Sequence, residues 1–177
     1  MKYVALLRGI GPGNPNMHGS KLKGVLEDLG FTSVAPVISS GNVIFQSGSK
    51  DIAKLEDVIQ RAWPEKLGFN STTIIRSREQ LQTLVKKNPY GDAEHNRQSY
   101  LLVTFFKRPP GPELTGQSNF YADAGINALC STIDTTAAKT PDFMVQLEKR
   151  FGKDITSRTW LTIRRILAKM EEEPASE

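Results

Sequence analysis

Arg8 is the first residue in this chain whose type and setting suggest chemistry. It follows the apolar run Tyr3–Leu7 and opens onto residues 9–17, which hold three glycines and two prolines. A guanidinium offers a planar fork of N–H donors that matches phosphate or carboxylate oxygens, and glycines let backbone amides approach the same anion. A second polar cluster, Ser39-Ser40-Gly41-Asn42, supplies two hydroxyls and an amide between two β-branched runs. A third polar group is Arg158, just before Trp160 near the C-terminus.

Two phosphate-binding motifs were tested against the glycine-rich loop, and neither fits. A P-loop needs Gly, four residues, then Gly-Lys-Ser/Thr. Here Gly13 is followed by five residues and then Gly19-Ser20-Lys21, one residue too long and with lysine and hydroxyl exchanged. The dinucleotide fingerprint finds Gly9 and Gly11, but its third glycine is Asn14, and Pro12 removes an amide that could face pyrophosphate.

Other catalytic patterns are missing. His18 and His95 stand alone, without the clustered ligands a metal site requires, so no metal and no cofactor is assigned. The neighbouring acids Glu27-Asp28 and Glu56-Asp57 read as solvated helix faces. Nucleophile-elbow and zincin spacings are absent, and no catalytic residue is named. Cys130, the one cysteine, sits in a strand-like run and reads as a buried inert thiol. Tyr3, Phe45, Phe105, Phe106 and Trp160 read as core, and the RNP pattern of RNA-recognition motifs is missing.

The elements that must position these residues follow from periodicity. Strand-like runs cover Lys2 to Arg8, Val34 to Ile38, Val43 to Gln46 and Thr72 to Ile75. Helical 3.6-periodicity covers Ser20 to Leu29, Ile52 to Leu67 and Arg78 to Lys87, the last stopped by Asn88-Pro89. That order is the ferredoxin-like split βαβ unit with an added helix. After a polar connector from Gly91 to Gln98 come strands at Tyr100 to Phe106, Phe120 to Ala122 and Ala128 to Ile133. A short turn at Pro112 to Leu114, a helix from Thr140-Pro141 to Phe151 and a last helix from near Thr156 to about Glu172 complete it. The expected fold is therefore α+β, with a ferredoxin-like βαββαβ first half, a βαββα second half and a C-terminal helix. The expected subdomains are 1–90 and 91–177, forming one compact unit.

Topology then assembles a site. In a βαββαβ sheet the first and third strands are antiparallel neighbours, so Arg8 and Gly9 must lie beside Gly41 and Asn42. That edge can hold an anion, or Arg8 and Asn42 can simply tie two turns together. Arg158, placed in the first turn of the last helix, faces an unfavourable helix dipole. It is expected to point inward to a carboxylate or backbone carbonyls, or into the Arg8 pocket.

The net charge of +4 hides an asymmetry. The tail EEEPASE holds four acids, leaving 23 basic against 15 acidic residues elsewhere, and Lys149–Lys169 carries seven basic residues against Asp154 alone. This favours an anionic partner. A single cysteine, no apolar run long enough to span a membrane and no signal peptide point to the cytoplasm.

Three ordered segments carry a family resemblance: Tyr3-Val4-Ala5-Leu6-Leu7-Arg8-Gly9-Ile10, Ser40-Gly41-Asn42-Val43-Ile44-Phe45, and Thr156-Ser157-Arg158-Thr159-Trp160-Leu161-Thr162. Together they resemble the bacterial domain-of-unknown-function family 1697. The resemblance implies a small cytoplasmic α+β protein with ferredoxin-like halves and no established activity. The chain departs from the family pattern at Gly11 and Pro12, at Asn16-Met17-His18-Gly19, and at Thr159 and Leu161, where the family has asparagines. The leading reading is binding of a small phosphate-bearing anion by Arg8, Gly9, Ser40, Gly41, Asn42 and Arg158. A nucleic-acid-binding module using the basic C-terminal helix is the alternative, and a hydrolase or transferase without a recognisable motif is the third.

Overall fold

The computed structural model describes residues 1–39, 41–137 and 140–173. The first half runs β1 (Lys2–Leu7), α1 (Gly19–Asp28), β2 (Thr32–Pro36), β3 (Asn42–Gln46), α2 (Ile52–Leu67), β4 (Thr73–Ser77) and α3 (Arg78–Lys87). The second runs β5 (Ser99–Phe106), α4 (Pro112–Thr115), β6 (Phe120–Tyr121), β7 (Ala128–Asp134), α5 (Thr140–Phe151), β8 (Ile155–Thr159) and α6 (Trp160–Glu171). The strands form two antiparallel sheets ordered β2-β3-β1-β4 and β6-β7-β5-β8. Counted from its own first strand, each sheet has the same order, so both halves are βαββαβ with a following helix.

This corrects the expected second half, which lacked its last strand. Residues 155–159 do not open the last helix. They pair with β5 from Leu102↔Thr159 to Phe106↔Ile155. Ile155, Thr156 and Thr159 are β-branched and favour a pleated surface, and the apolar helical stripe begins only at Trp160. The cap between the two elements is Thr159, whose Oγ1 accepts the N–H of Thr162 at 3.2 Å. Threonine is one of the residue types that serve as helix N-caps.

The chain forms two compact units, Met1–Glu79 with Arg165–Glu177, and Gln80–Arg164. The division passes through α3 and α6, whereas the sequence suggested a break at the polar connector after residue 90. In the first unit Tyr3, Ala5 and Leu7 of β1 pack with Leu22, Val25 and Leu26 of α1 and with Leu55, Ile59 and Trp63 of α2. Val4 and Leu6 are fully buried too, which explains why β1 reads as a continuous apolar run.

α2 starts where Asp51 accepts the N–H of Lys54 at 3.0 Å, and it ends at Gly68, whose φ of 75° only glycine adopts freely. Near its end Trp63 is fully buried, stacks on Phe69 at 5.9 Å and donates its indole N–H to Thr73 Oγ1 at 2.8 Å.

β4 is an edge strand, so half of its amides would face outward unpaired. α2 supplies the acceptors. Gln60 Oε1 takes the N–H of Thr73 and Glu56 Oε1 the N–H of Ile75, each at 3.0 Å. The spacing matches, because one helical turn rises about 5.4 Å and two strand residues span about 6.6 Å. Glu56 is thus 4% exposed and sits 3.7 Å from the guanidinium of buried Arg76. The expected solvated face holds for exposed Asp57 but not for Glu56.

The second unit has its own apolar cluster of Phe106, Leu114, Phe120, Leu129, Leu147 and Ile155. Phe106 packs edge-on against Phe120 at 5.7 Å and Phe151 at 5.3 Å. Cys130 is buried on β7, and burial pushes its thiol up to about 12. At pH 8 the native thiolate fraction is therefore about a thousandfold below that of an ordinary thiol. Alkylation of the native chain at pH 8 should be slower than that of the unfolded chain by at least about tenfold, since the higher nucleophilicity of a high-pKa thiolate offsets part of its scarcity. Rapid native labelling would show that the Cys130 site opens on its own. No helix among the described residues is long and apolar enough to cross a membrane.

Candidate functional site

The strand pairing at the end of the first sheet is now explicit. Leu6 lies opposite Asn42, and the Leu7 N–H donates to Gly41 O at 2.9 Å. Arg8 therefore leaves β1 beside the β2–β3 turn. Its backbone is held on the other side as well, because its N–H donates to Thr72 O at 2.9 Å and its carbonyl accepts Ser71 Oγ at 2.7 Å. The side chain that emerges is half-buried, and Gly9 after it is exposed with φ 71°. Ser71 gave no sequence signal, because nothing local links a serine before β4 to the end of β1.

Gly41 and Asn42 have structural work at this end. Gly41 has φ 74°, and a Cβ there would meet Ile10 Cγ1 at 2.5 Å and Leu7 Cβ at 3.1 Å. Asn42 is 1% exposed and donates Nδ2 to Val37 O at 3.1 Å, while its own carbonyl accepts the Val37 N–H at 2.8 Å. Asn42 closes the turn from inside. Ser40 lies outside the described residues. Ser39 is exposed, and so is Ile38, which holds a φ of 57°. A β-branched side chain in that region is strained, and such strain concentrates at working sites.

The start of α1 arrives at the same end. A Cβ on Gly19 would meet Pro36 Cβ at 2.9 Å, so the helix start abuts the end of β2. No side chain caps it. The preceding loop is ordered by its own bonds, including Asn14 Oδ1 accepting the Asn16 N–H at 3.0 Å and Asn16 Nδ2 donating to Leu67 O at 3.2 Å.

Arg158 lies in the second unit, on β8 and not in a helix. It is buried opposite Val103 and donates to Ser157 O and Thr156 Oγ1, each at 2.8 Å. The expected inward carbonyl partner is present. Burial lowers its pKa to about 10. Arg76 is its counterpart in the first unit. It holds the fourth position of β4 as Arg158 does of β8, lies opposite Val4 and donates to the carbonyl of the residue before it at 2.7 Å. Its pKa is also lowered to about 10, by burial against the opposing effect of Glu56. The pair reveals an equivalence between halves whose sequences do not visibly repeat.

The model of a protein family described as a protein of unknown function, DUF1697, matches residues 1–124. No curated protein matches the chain. The fold is similar to that of a conserved bacterial protein, SP0830 from Streptococcus pneumoniae, at a TM-score of 0.70 and 20% identity, covering 96% of this chain and 98% of that one. The match spans β1 with its arginine-glycine exit, the β2–β3 turn and the rest of the first sheet: this chain belongs to the DUF1697 family of proteins of unknown function.

Proposed function

We propose that the chain binds a small anionic, phosphate-bearing ligand at the end of the first sheet, where Arg8 leaves β1. The observation that carries this reading is convergence. A half-buried guanidinium on a backbone fixed from both sides shares one sheet end with exposed Ser39 and with the helix start of α1, which no side chain caps. Helix N-termini and arginine forks both favour anions, and a fixed backbone reduces the ordering cost of binding. Asn42 and Gly41 shape the turn in this reading, and Arg8 supplies the contact.

The test is a thermal-shift screen of phosphorylated metabolites, followed by titration of the best binder. Arg8→Ala should weaken that ligand by about 1.5–3 kcal/mol, or roughly 10- to 150-fold, with a smaller loss of fold stability. If Arg8→Ala unfolds the protein yet leaves affinity per folded molecule unchanged, Arg8 is a tie between turns and the proposal fails. A generic oligonucleotide that binds instead, with affinity falling steeply as salt rises, would move the function to the basic residues of α6.

A further inference from the structure

The segment after α3, read from sequence as a polar connector, forms one wall of a cavity of about 530 Å³ whose other wall is the first turn of α6. Every residue around it belongs to the second unit. The volume is within the range that holds small metabolites. Its apolar surface comes from Val85, Leu101, Trp160 and Leu161. Trp160 is 7% exposed and braced by Tyr90 at 5.2 Å between ring centres, so this wall is preformed. Leu161 is 43% exposed, an apolar side chain left open at the rim.

Four polar side chains line this surface: Asn88, Glu94, His95 and Arg164. His95 is oriented from behind. Its Nδ1 accepts the N–H of Leu101 at 3.0 Å, and its ring packs on Tyr100 at 4.3 Å. A backbone amide can only donate, so Nδ1 carries the lone pair and Nε2 the hydrogen. His95 is thereby a fixed donor. Glu94 and Arg164 are both exposed and border the same cavity, yet they form no ion pair with each other among the described residues. The walls thus present one cation, one anion, the Asn88 amide and the imidazole N–H around an apolar patch.

We propose that this cavity binds a free amino acid with an aromatic or large aliphatic side chain. The carboxylate is held by Arg164 and the Nε2–H of His95, the ammonium by Glu94, and the side chain by Val85, Leu101, Trp160 and Leu161. A zwitterion matches both wall charges. A phosphate dianion would meet Glu94 with like charge, and a plain hydrocarbon would leave both charges unanswered.

Calorimetric titration of the full chain with L-phenylalanine and L-leucine should give saturable binding. Phenylalaninamide and N-acetylphenylalanine, each lacking one charge, should bind at least about tenfold more weakly. Arg164→Gln should abolish the preference for acid over amide, and Glu94→Gln the preference for free over acetylated amine. Both side chains are exposed, so both variants should fold. The proposal is overturned if neither amino acid titrates, if adenosine monophosphate binds more tightly than phenylalanine, or if either preference survives its own substitution.

Discussion

Glu56→Leu is expected to destabilise the fold by about 3–5 kcal/mol, the loss seen when one member of a buried ion pair is removed. Two separate costs add. Arg76, with a side chain 3% exposed, loses its carboxylate, and the N–H of Ile75 loses its acceptor on the outer edge of β4. The pKa of Arg76 gives the same direction. Its folded value near 10 lies below the ordinary guanidinium value, so the charged form is a cost to the folded state at neutral pH, relieved only as pH rises through about 10 and beyond. Glu56 opposes that shift, and its removal must enlarge the cost. Denaturant unfolding at pH 7 measures the loss as a lower midpoint at unchanged slope. The double variant Glu56→Leu with Arg76→Met should recover the ion-pair part of it, because well-packed apolar pairs replace buried ion pairs at little cost, and should leave the cost of the unpaired Ile75 N–H. A single-variant loss below about 1 kcal/mol would mean that water enters behind α2 and solvates the arginine.

Gly41→Ala should cost about 2–5 kcal/mol, and Gly9→Ala only the first part of that. Both glycines are left-handed, at φ 74° and 71°, and a side chain there costs roughly 1–2 kcal/mol. They differ in space. A methyl group on Gly9 meets nothing within 4 Å, whereas one on Gly41 is placed 2.5 Å from Ile10 Cγ1. Overpacking of that kind adds about 1–3 kcal/mol. Thermal unfolding of the two variants side by side isolates the clash. Equal losses would show that Ile10 moves aside freely and that the turn does not lock the loop.

The first half was largely legible because its signals are local. Aspartate before Ile52 and glycine after Leu67 bound α2, and Leu22, Val25 and Leu26 mark the buried stripe of α1. β1 was equally plain, and the rules of antiparallel order then place Gly41 beside the end of β1. The last strand of the second half was not legible in the same way. The strong apolar helix beginning at Trp160 reads in sequence as reaching back over four residues, Thr156 to Thr159, whose pairing partners lie more than fifty positions upstream. Arg158 inherited that error, and its apparent conflict with a helix dipole vanishes on a strand.

Other features depended on long-range geometry. Glu56 and Asp57 are adjacent in sequence but opposite in fate, because only one of them points at the open edge of β4. A four-residue step from Glu56 to Gln60 was the available signal, visible once β4 is known to be an edge. In sequence Asn42 reads either as an anion contact or as a tie between two turns. Only the turn itself, folded back so that Val37 O meets its amide, shows where its hydrogen bond goes. The cavity beside Trp160 had no motif at all, since its polar groups come from a loop and a helix separated by the whole second sheet.

The passage of the chain through α6 also dictates an order of events during synthesis. Residues 1–79 leave the ribosome before the inserted stretch, but their unit also includes the segment from Arg165 onward. At the usual pace of translation the intervening stretch takes roughly 5–20 s to appear. In that interval the inserted unit, Gln80–Arg164, is completed in full. Only afterwards does Lys2 meet the carbonyls of Met170 and Glu172, to which its ammonium donates at 2.9 and 3.0 Å. The unit begun first is the unit finished last. Nascent β1 can already pair with β3 and β4, both within residues 1–79, so what waits for the end of synthesis is the tie from Lys2 to the end of α6.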